Sequence, residues 1–203
     1  MQSLSSEQFA AMRKDATVIE KDGHGEKVLR LPDCTYLKLF RRKSWLSKTV
    51  FFPPAQRFAA NAAELEKLGI PCPHILKLYK LSNPYRSVVH YEPLEGITLR
   101  HLLNEDPSLE QLELFGMLAE FITHLHELGV YFRSLHLGNI VLTPAGELGL
   151  IDISDMRCLG KPLPKRMRNR NYRHLLRYQK DWALVRPDVL SVFDRAADRP
   201  DLS

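Results

Sequence analysis

Residues 132–139 read Phe132-Arg133-Ser134-Leu135-His136-Leu137-Gly138-Asn139, and residues 140–152 run Ile140-Val141-Leu142, Thr143-Pro144-Ala145-Gly146-Glu147, Leu148-Gly149-Leu150-Ile151 and Asp152. Ile140 to Leu142 and Leu148 to Ile151 are strand-like, and Thr143 to Gly146 is a turn, so the second stretch is a β-hairpin. A two-residue loop at Ala145-Gly146 sets Asn139 opposite Asp152, because both lie equally far from the loop centre; a longer loop shifts this register by one residue. Directly opposed residues have Cβ atoms about 4.5–5.5 Å apart. An amide oxygen and a carboxylate then meet at one end of an apolar hairpin, a pair of hard oxygen donors suited to Mg²⁺. Taken singly, Asn139 starts a strand and Asp152 caps a turn. It is the pair that points to a metal.

Upstream of this hairpin lies the clearest helix of the chain. Ser108 to Gln111 has the form of a capping box just after Pro107. Leu112, Phe115, Leu118, Ile122 and Leu125 follow at helical spacing, and Gly129 closes the run. Downstream, residues 171–185 and, after Pro187, residues 188–197 read as helices. The first half differs. Ser5 to Lys14 is a short amphipathic lead helix. Ala16 to Glu20 and Lys27 to Leu31 are strands around the turn Asp22-Gly23-His24-Gly25, and Thr35 to Phe40 is a third strand. A helix opens at Pro53-Pro54 and ends near Leu68, before Gly69 and Pro71. Ile75 to Leu81 and Arg86 to Tyr91 are strands again. The expected fold class is therefore α+β, with a lead helix over 1–15, a strand-rich lobe over 16–91 and a helix-rich lobe over 92–203.

The chain has 203 residues, of which 44% are apolar and 26% charged, so a normal core is within reach. No apolar run approaches bilayer-spanning length. Met1 to Ser5 lacks the charged-then-apolar order of a secretory signal, which makes a cytoplasmic protein the expectation. Cys34, Cys72 and Cys158 are odd in number and widely spaced, and read as reduced thiols rather than a disulfide frame or zinc site. The net charge of +5 is concentrated. One cluster is Lys165, Arg166, Arg168, Arg170, Arg173 and Arg177 with His174; the other is Arg41, Arg42, Lys43 and Lys48. Such clusters are solvated faces or electrostatic footprints for phosphates, anionic lipid or nucleic acid. No interleaved aromatic motif supports the nucleic-acid reading.

Phe132 to Asn139 resembles the catalytic loop of the protein-kinase-like superfamily, in which an asparagine follows the catalytic aspartate by five residues. His136 stands where the small-molecule branch has a histidine two residues after that aspartate, and Ile151-Asp152 resembles the metal-binding strand end. Tyr36-Leu37-Lys38-Leu39-Phe40 resembles the strand whose lysine holds nucleotide phosphates, and Leu68 to Pro73 resembles a link in lipopolysaccharide core kinases, which phosphorylate heptose or Kdo. The resemblance covers roughly Val18 to Asp155. It implies a bilobal kinase-like fold and an ATP- and Mg²⁺-dependent phosphotransferase acting on a small or glycolipid acceptor. Lys38 would hold phosphates, and Asn139 and Asp152 the metal. Gly23 and Gly25 would lie over the nucleotide, and Tyr91 and Glu92 would receive the adenine. A lysine flanked by Tyr36 and Phe40 on its own face is better explained by a partner in a cleft than by an edge charge. The basic stretch from Lys165 to Arg177 fits a phosphorylated acceptor at the inner membrane surface.

Three departures matter. Ser134 occupies the aspartate position, and general-base help is typically worth about 10²–10⁴-fold; His136 and Asp155 are the candidate substitutes, with Arg133 and Asp152 completing the catalytic set. Phe132 replaces a histidine. Glu64 is the acid available to pair with Lys38, although spacing from Gly69 favours a position nearer Phe58. A pseudokinase that binds nucleotide or a partner without turnover is the alternative reading.

Overall fold

Alternation along residues 36–40 divides two apolar layers. Leu37 and Leu39 point to one face of the strand; Tyr36, Lys38 and Phe40 point to the other, as period-two geometry demands. The computed structural model describes residues 1–41, 53–106 and 110–196. The chain divides into two units, Met1–Ala63 with Cys72–Pro93, and Glu64–Pro71 with Leu94–Ser203.

The first unit is built on a six-stranded sheet in the order β1-β5-β6-β4-β3-β2. Its strands are β1 (Gln2–Leu4), β2 (Thr17–Asp22), β3 (Gly25–Arg30), β4 (Tyr36–Arg41), β5 (His74–Ser82) and β6 (Tyr85–Glu92). One face buries Leu29, Leu31, Leu37, Leu39, Leu81 and Val88, with Phe9 and Met12 of helix α1 (Ser6–Arg13) packed against them. The helix starts at a capping box, Ser5 and Gln8 each bonding the other's backbone N–H. The opposite face carries the aromatic rings of Tyr36, Phe40 and Tyr91, with Phe58 of helix α2 (Pro54–Lys67) 5.5 Å from Tyr91 and 6.3 Å from Phe40. Strand β1 was not expected: three residues at a sheet edge, parallel to β5, are too short to show a period.

The second unit carries β7 (Ile97–Thr98), α3 (Leu99–Glu105), α4 (Gln111–Glu127), β8 (Val130–Phe132), β9 (Ile140–Leu142), β10 (Leu148–Leu150), β11 (Met156–Cys158), α5 (Lys165–Leu176), α6 (Gln179–Trp182) and α7 (Pro187–Ala196). Helix α4 buries Phe115, Leu118, Ile122 and Leu125. Phe115 meets Phe193 of α7 edge-on at 5.8 Å and Trp182 at 5.8 Å. Gly129 ends α4 with φ +78, and a Cβ there would lie 2.2 Å from the Lys161 carbonyl, so only glycine lets the returning chain this close.

Two expectations change. The serine of the anticipated capping box, Ser108, lies outside the described residues, while Gln111 serves another end: its amide donates to the Leu184 carbonyl and accepts from Arg186 N–H at 2.9 Å. The single helix expected over residues 171–185 starts earlier, at Lys165, and breaks after Leu176. There Trp182 Nε1 donates to the Leu175 carbonyl at 3.0 Å and so satisfies a helix-end acceptor. The remaining members of the second basic cluster, Arg42, Lys43 and Lys48, also lie outside the described residues.

Phe115→Ala should lower unfolding free energy by about 3–5 kcal/mol, since it empties the α4–α7 contact. The measurement is the urea midpoint with the slope unchanged.

Candidate functional site

The segment Phe132–Asn139 is suspended between two short ladders. Strand β8 pairs with β11, Met156 opposite Phe132. Phe132 is fully buried, and its carbonyl accepts from Asn171 Nδ2 at 2.5 Å. The same Asn171 accepts from His126 Nε2 at 3.0 Å, so one buried amide ties α4, α5 and the start of the loop together. Nothing in the local sequence around Asn171 marks this role; its partners lie 39 and 45 residues away.

Beyond Phe132, the exposed Arg133 precedes Ser134. Ser134 Oγ donates to Asp155 Oδ2 at 2.6 Å. Asp155 ends a 3₁₀ turn, Ile153–Asp155, and its other oxygen, Oδ1, is buried without a hydrogen-bond partner among the described residues. A buried unsatisfied acceptor costs about 1–3 kcal/mol and is rare in native folds. Asn139 is buried and donates its Nδ2 to the Ser134 carbonyl at 2.9 Å, which leaves Oδ1 as the end of the amide available to a cation.

The hairpin register differs from the two-residue-loop expectation. Gly146 N–H donates to the Thr143 carbonyl and Thr143 N–H to the Glu147 carbonyl, both at 2.9 Å, and Gly146 has φ +80. The loop is thus the three residues Pro144-Ala145-Gly146, a tight turn followed by a left-handed glycine. Leu150 faces Ile140, and Ile151 N–H donates to the Asn139 carbonyl at 3.0 Å. Asn139 stands opposite Ile151, not Asp152. Asp152 follows immediately in the left-handed region, φ 52 and ψ 42, a conformation aspartate tolerates better than most residues. The pair remains adjacent across the ladder, displaced by one residue.

His136 is held by a second network. Arg100 on α3 grips Asp181 with Nε and Nη2 at 2.6 and 2.9 Å, and donates from Nη2 to His136 Nδ1 at 3.4 Å. The His136 ring lies edge-on to Tyr178 at 4.5 Å. Burial and then the Arg100 charge push its pKa below the ordinary histidine value, although Asp181 and Asp152 oppose this. A Cβ on Gly138 would sit 2.5 Å from Arg100 Nη1, so the glycine admits the guanidinium against the loop. Neither Arg100 nor Asp181 was singled out from sequence, because they are 81 residues apart.

The basic stretch sorts into different roles. Arg168 Nε donates to the Leu163 carbonyl at the start of α5. Arg170, His174 and Arg177 recur at helical spacing on one stripe, and His174 Nε2 lies 3.3 Å from the Tyr131 hydroxyl. Burial lowers the His174 pKa, and the charges of Arg177, Arg170 and Arg133 lower it further, while Asp155 opposes this. Arg177 also lies over the Tyr178 ring at 5.4 Å.

In the strand-rich unit, Lys38 Nζ lies over the Phe58 and Phe40 rings at 5.7 and 5.9 Å. Glu64 pairs with Lys67 at 2.6 Å in an exposed i,i+3 pair on its own helix. Gly23 and His24 form a two-residue turn, with Asp22 across from Gly25. Asp22 pairs with Arg41 at 2.5 Å and Arg86 donates to the His24 carbonyl, so the turn is tied to the sheet. Tyr91 is buried in the aromatic layer, and Glu92 is the exposed end of β6.

A protein-family model described as the lipopolysaccharide kinase (Kdo/WaaP) family matches residues 36–194. No curated protein matches the chain.

His126 is 1% exposed, and burial pushes its pKa down to about 4. It is neutral in the fold, whereas the unfolded chain takes a proton near the ordinary value of 6.5. Stability should therefore fall as pH drops from 6.5 toward 4 and level off below, a loss of about 3 kcal/mol from this residue. Urea titrations at pH 7 and pH 4 should show the wild type losing more than His126→Gln by about that amount.

Proposed function

This chain belongs to the Kdo/WaaP lipopolysaccharide kinase family, and we propose that it is an ATP- and Mg²⁺-dependent phosphotransferase acting on an anionic sugar of a lipopolysaccharide core. The observation that carries this reading is the commitment of the Asn139 donor to the Ser134 carbonyl, which turns its amide oxygen to a cation one ladder position from Asp152. Mg²⁺ is commonly bound by one or two protein oxygens together with substrate phosphates, so this donor set fits it. The ion, when bound, neutralises charge on the transferring phosphoryl group.

The chain's own residues do the rest. Lys38 is assigned to the nucleotide phosphates, with Gly23 and Gly25 over them and Tyr91 and Glu92 toward the adenine. Glu64, already paired with Lys67, is kept only as a weaker candidate there. Neutral His136, fixed by Arg100 and Tyr178, keeps the loop in one conformation. Arg133, Arg170 and Arg177 are assigned to the acceptor's phosphate or carboxylate, a role guanidinium groups fill well. No helix among the described residues is long and apolar enough to cross a membrane. The exposed Lys165, Arg166 and Arg173 support peripheral contact with the cytoplasmic face of the inner membrane, at on the order of 1 kcal/mol per basic residue.

A second reading, nucleotide binding without turnover, is favoured by Ser134 alone.

Saturating ATP with Mg²⁺, at about 100 times Kd, should stabilise the protein by about 2.7 kcal/mol in a thermal-shift measurement. Asp152→Ala should abolish the Mg²⁺-dependent part of the shift. No shift at millimolar nucleotide sinks both readings; an undiminished shift in Asp152→Ala removes the metal role.

A further inference from the structure

The carboxylate missing at position 134 is present in space. The β8–β11 ladder sets Met156 opposite Phe132, so the next residue outward on one strand, Asp155, falls beside Arg133 and Ser134 on the other. The contact is a single hydrogen bond, Ser134 Oγ to Asp155 Oδ2, at 2.6 Å. That length is within the range of a hydroxyl donating to an ionised carboxylate. A purely structural carboxylate would be expected to fill both oxygens. Asp155 fills one, and Oδ1 is buried with no partner among the described residues. Buried unsatisfied acceptors of this kind are rare and call for a reason.

Resting on the phosphotransferase reading, we propose that Ser134 and Asp155 act as a relay that replaces the single loop carboxylate. In this relay Ser134 is the catalytic residue, the group that would meet the acceptor hydroxyl, and Asp155 positions it and takes its proton. The acceptor hydroxyl oxygen bonds to the γ-phosphorus of ATP as the bond from that phosphorus to the bridging oxygen breaks, and ADP leaves. The acceptor's proton passes to Ser134 Oγ while the Ser134 proton passes to Asp155 Oδ2. Asp155 returns that proton to water after product release. The relay differs from the expected loop only in placing the charge one hydroxyl further from the acceptor.

The test uses the full chain with γ-labelled ATP and Mg²⁺, deep-rough lipopolysaccharide as acceptor, and ADP release to water measured in parallel. Asp155→Asn keeps an oxygen for the Ser134 hydroxyl and so preserves the structural bond, but it cannot take the proton. It should leave the Mg-ATP thermal shift and the KM for ATP unchanged, and lower kcat by about 10²–10⁴-fold. The exchange Ser134→Asp with Asp155→Ser should restore kcat to within about tenfold of wild type, because it returns the carboxylate to the loop. The relay is overturned if Asp155→Asn turns over like wild type, or if the folded exchange variant binds Mg-ATP and stays as slow as Asp155→Asn. Phosphate found covalently on Ser134 by mass spectrometry also overturns it, making the serine a nucleophile. A wild type that binds Mg-ATP and releases no ADP on either acceptor overturns the relay while leaving nucleotide binding intact. Absence of the thermal shift overturns the phosphotransferase reading itself.

Discussion

The Asn139 side chain has a donor end and an acceptor end, and the fold commits the donor to the Ser134 carbonyl five residues back. That one bond closes the loop into a ring and orients the amide. It holds only because both ends of the ring are fixed elsewhere. Phe132 is buried at one end and tied through its carbonyl to Asn171; at the other, the Asn139 carbonyl accepts from Ile151. Loop backbones without such anchors stay mobile, at a cost of about 1–2 kcal/mol per residue to order them. Here helix α5 and the hairpin itself supply the anchoring.

Polar groups buried around the loop explain why the helix-rich unit carries so many long-range tethers. His126 to Asn171 to Phe132 and His136 to Arg100 to Asp181 are chains in which each member satisfies the next. Buried polar networks stabilise one arrangement when complete and penalise every other. The exception is Asp155 Oδ1. An unfilled acceptor in an otherwise satisfied neighbourhood is where departures from the consistent pattern tend to mark function.

Much of the architecture was legible in local sequence because it is carried by local signals. The alternation through Tyr36 to Phe40, the apolar stripe of α4 and the glycine after it all report a period or a breaker. The hairpin was legible too, but its register was not, because loops of two and three residues suit the same Thr-Pro-Ala-Gly sequence. Gly146 at φ +80 chose the longer one, which set Asn139 across from Ile151. Strands of three residues, such as β8 and β11, carry no period at all; they exist because they pair with each other.

By itself the sequence determined that a strand-rich half precedes a helix-rich one, that residues 140–151 form a hairpin between Asn139 and Asp152, and that serine stands at position 134. Those are statements about neighbours along the chain, where side-chain type and spacing suffice. Tertiary structure alone decided that Asp155 reaches Ser134 and that Arg100, gripped by Asp181, reaches His136. Each joins residues 21 or more positions apart, across segments whose separation depends on how α3, α6 and the β8–β11 ladder pack. Packing is a property of the whole fold, so no local pattern announces which distant polar groups it will bring together.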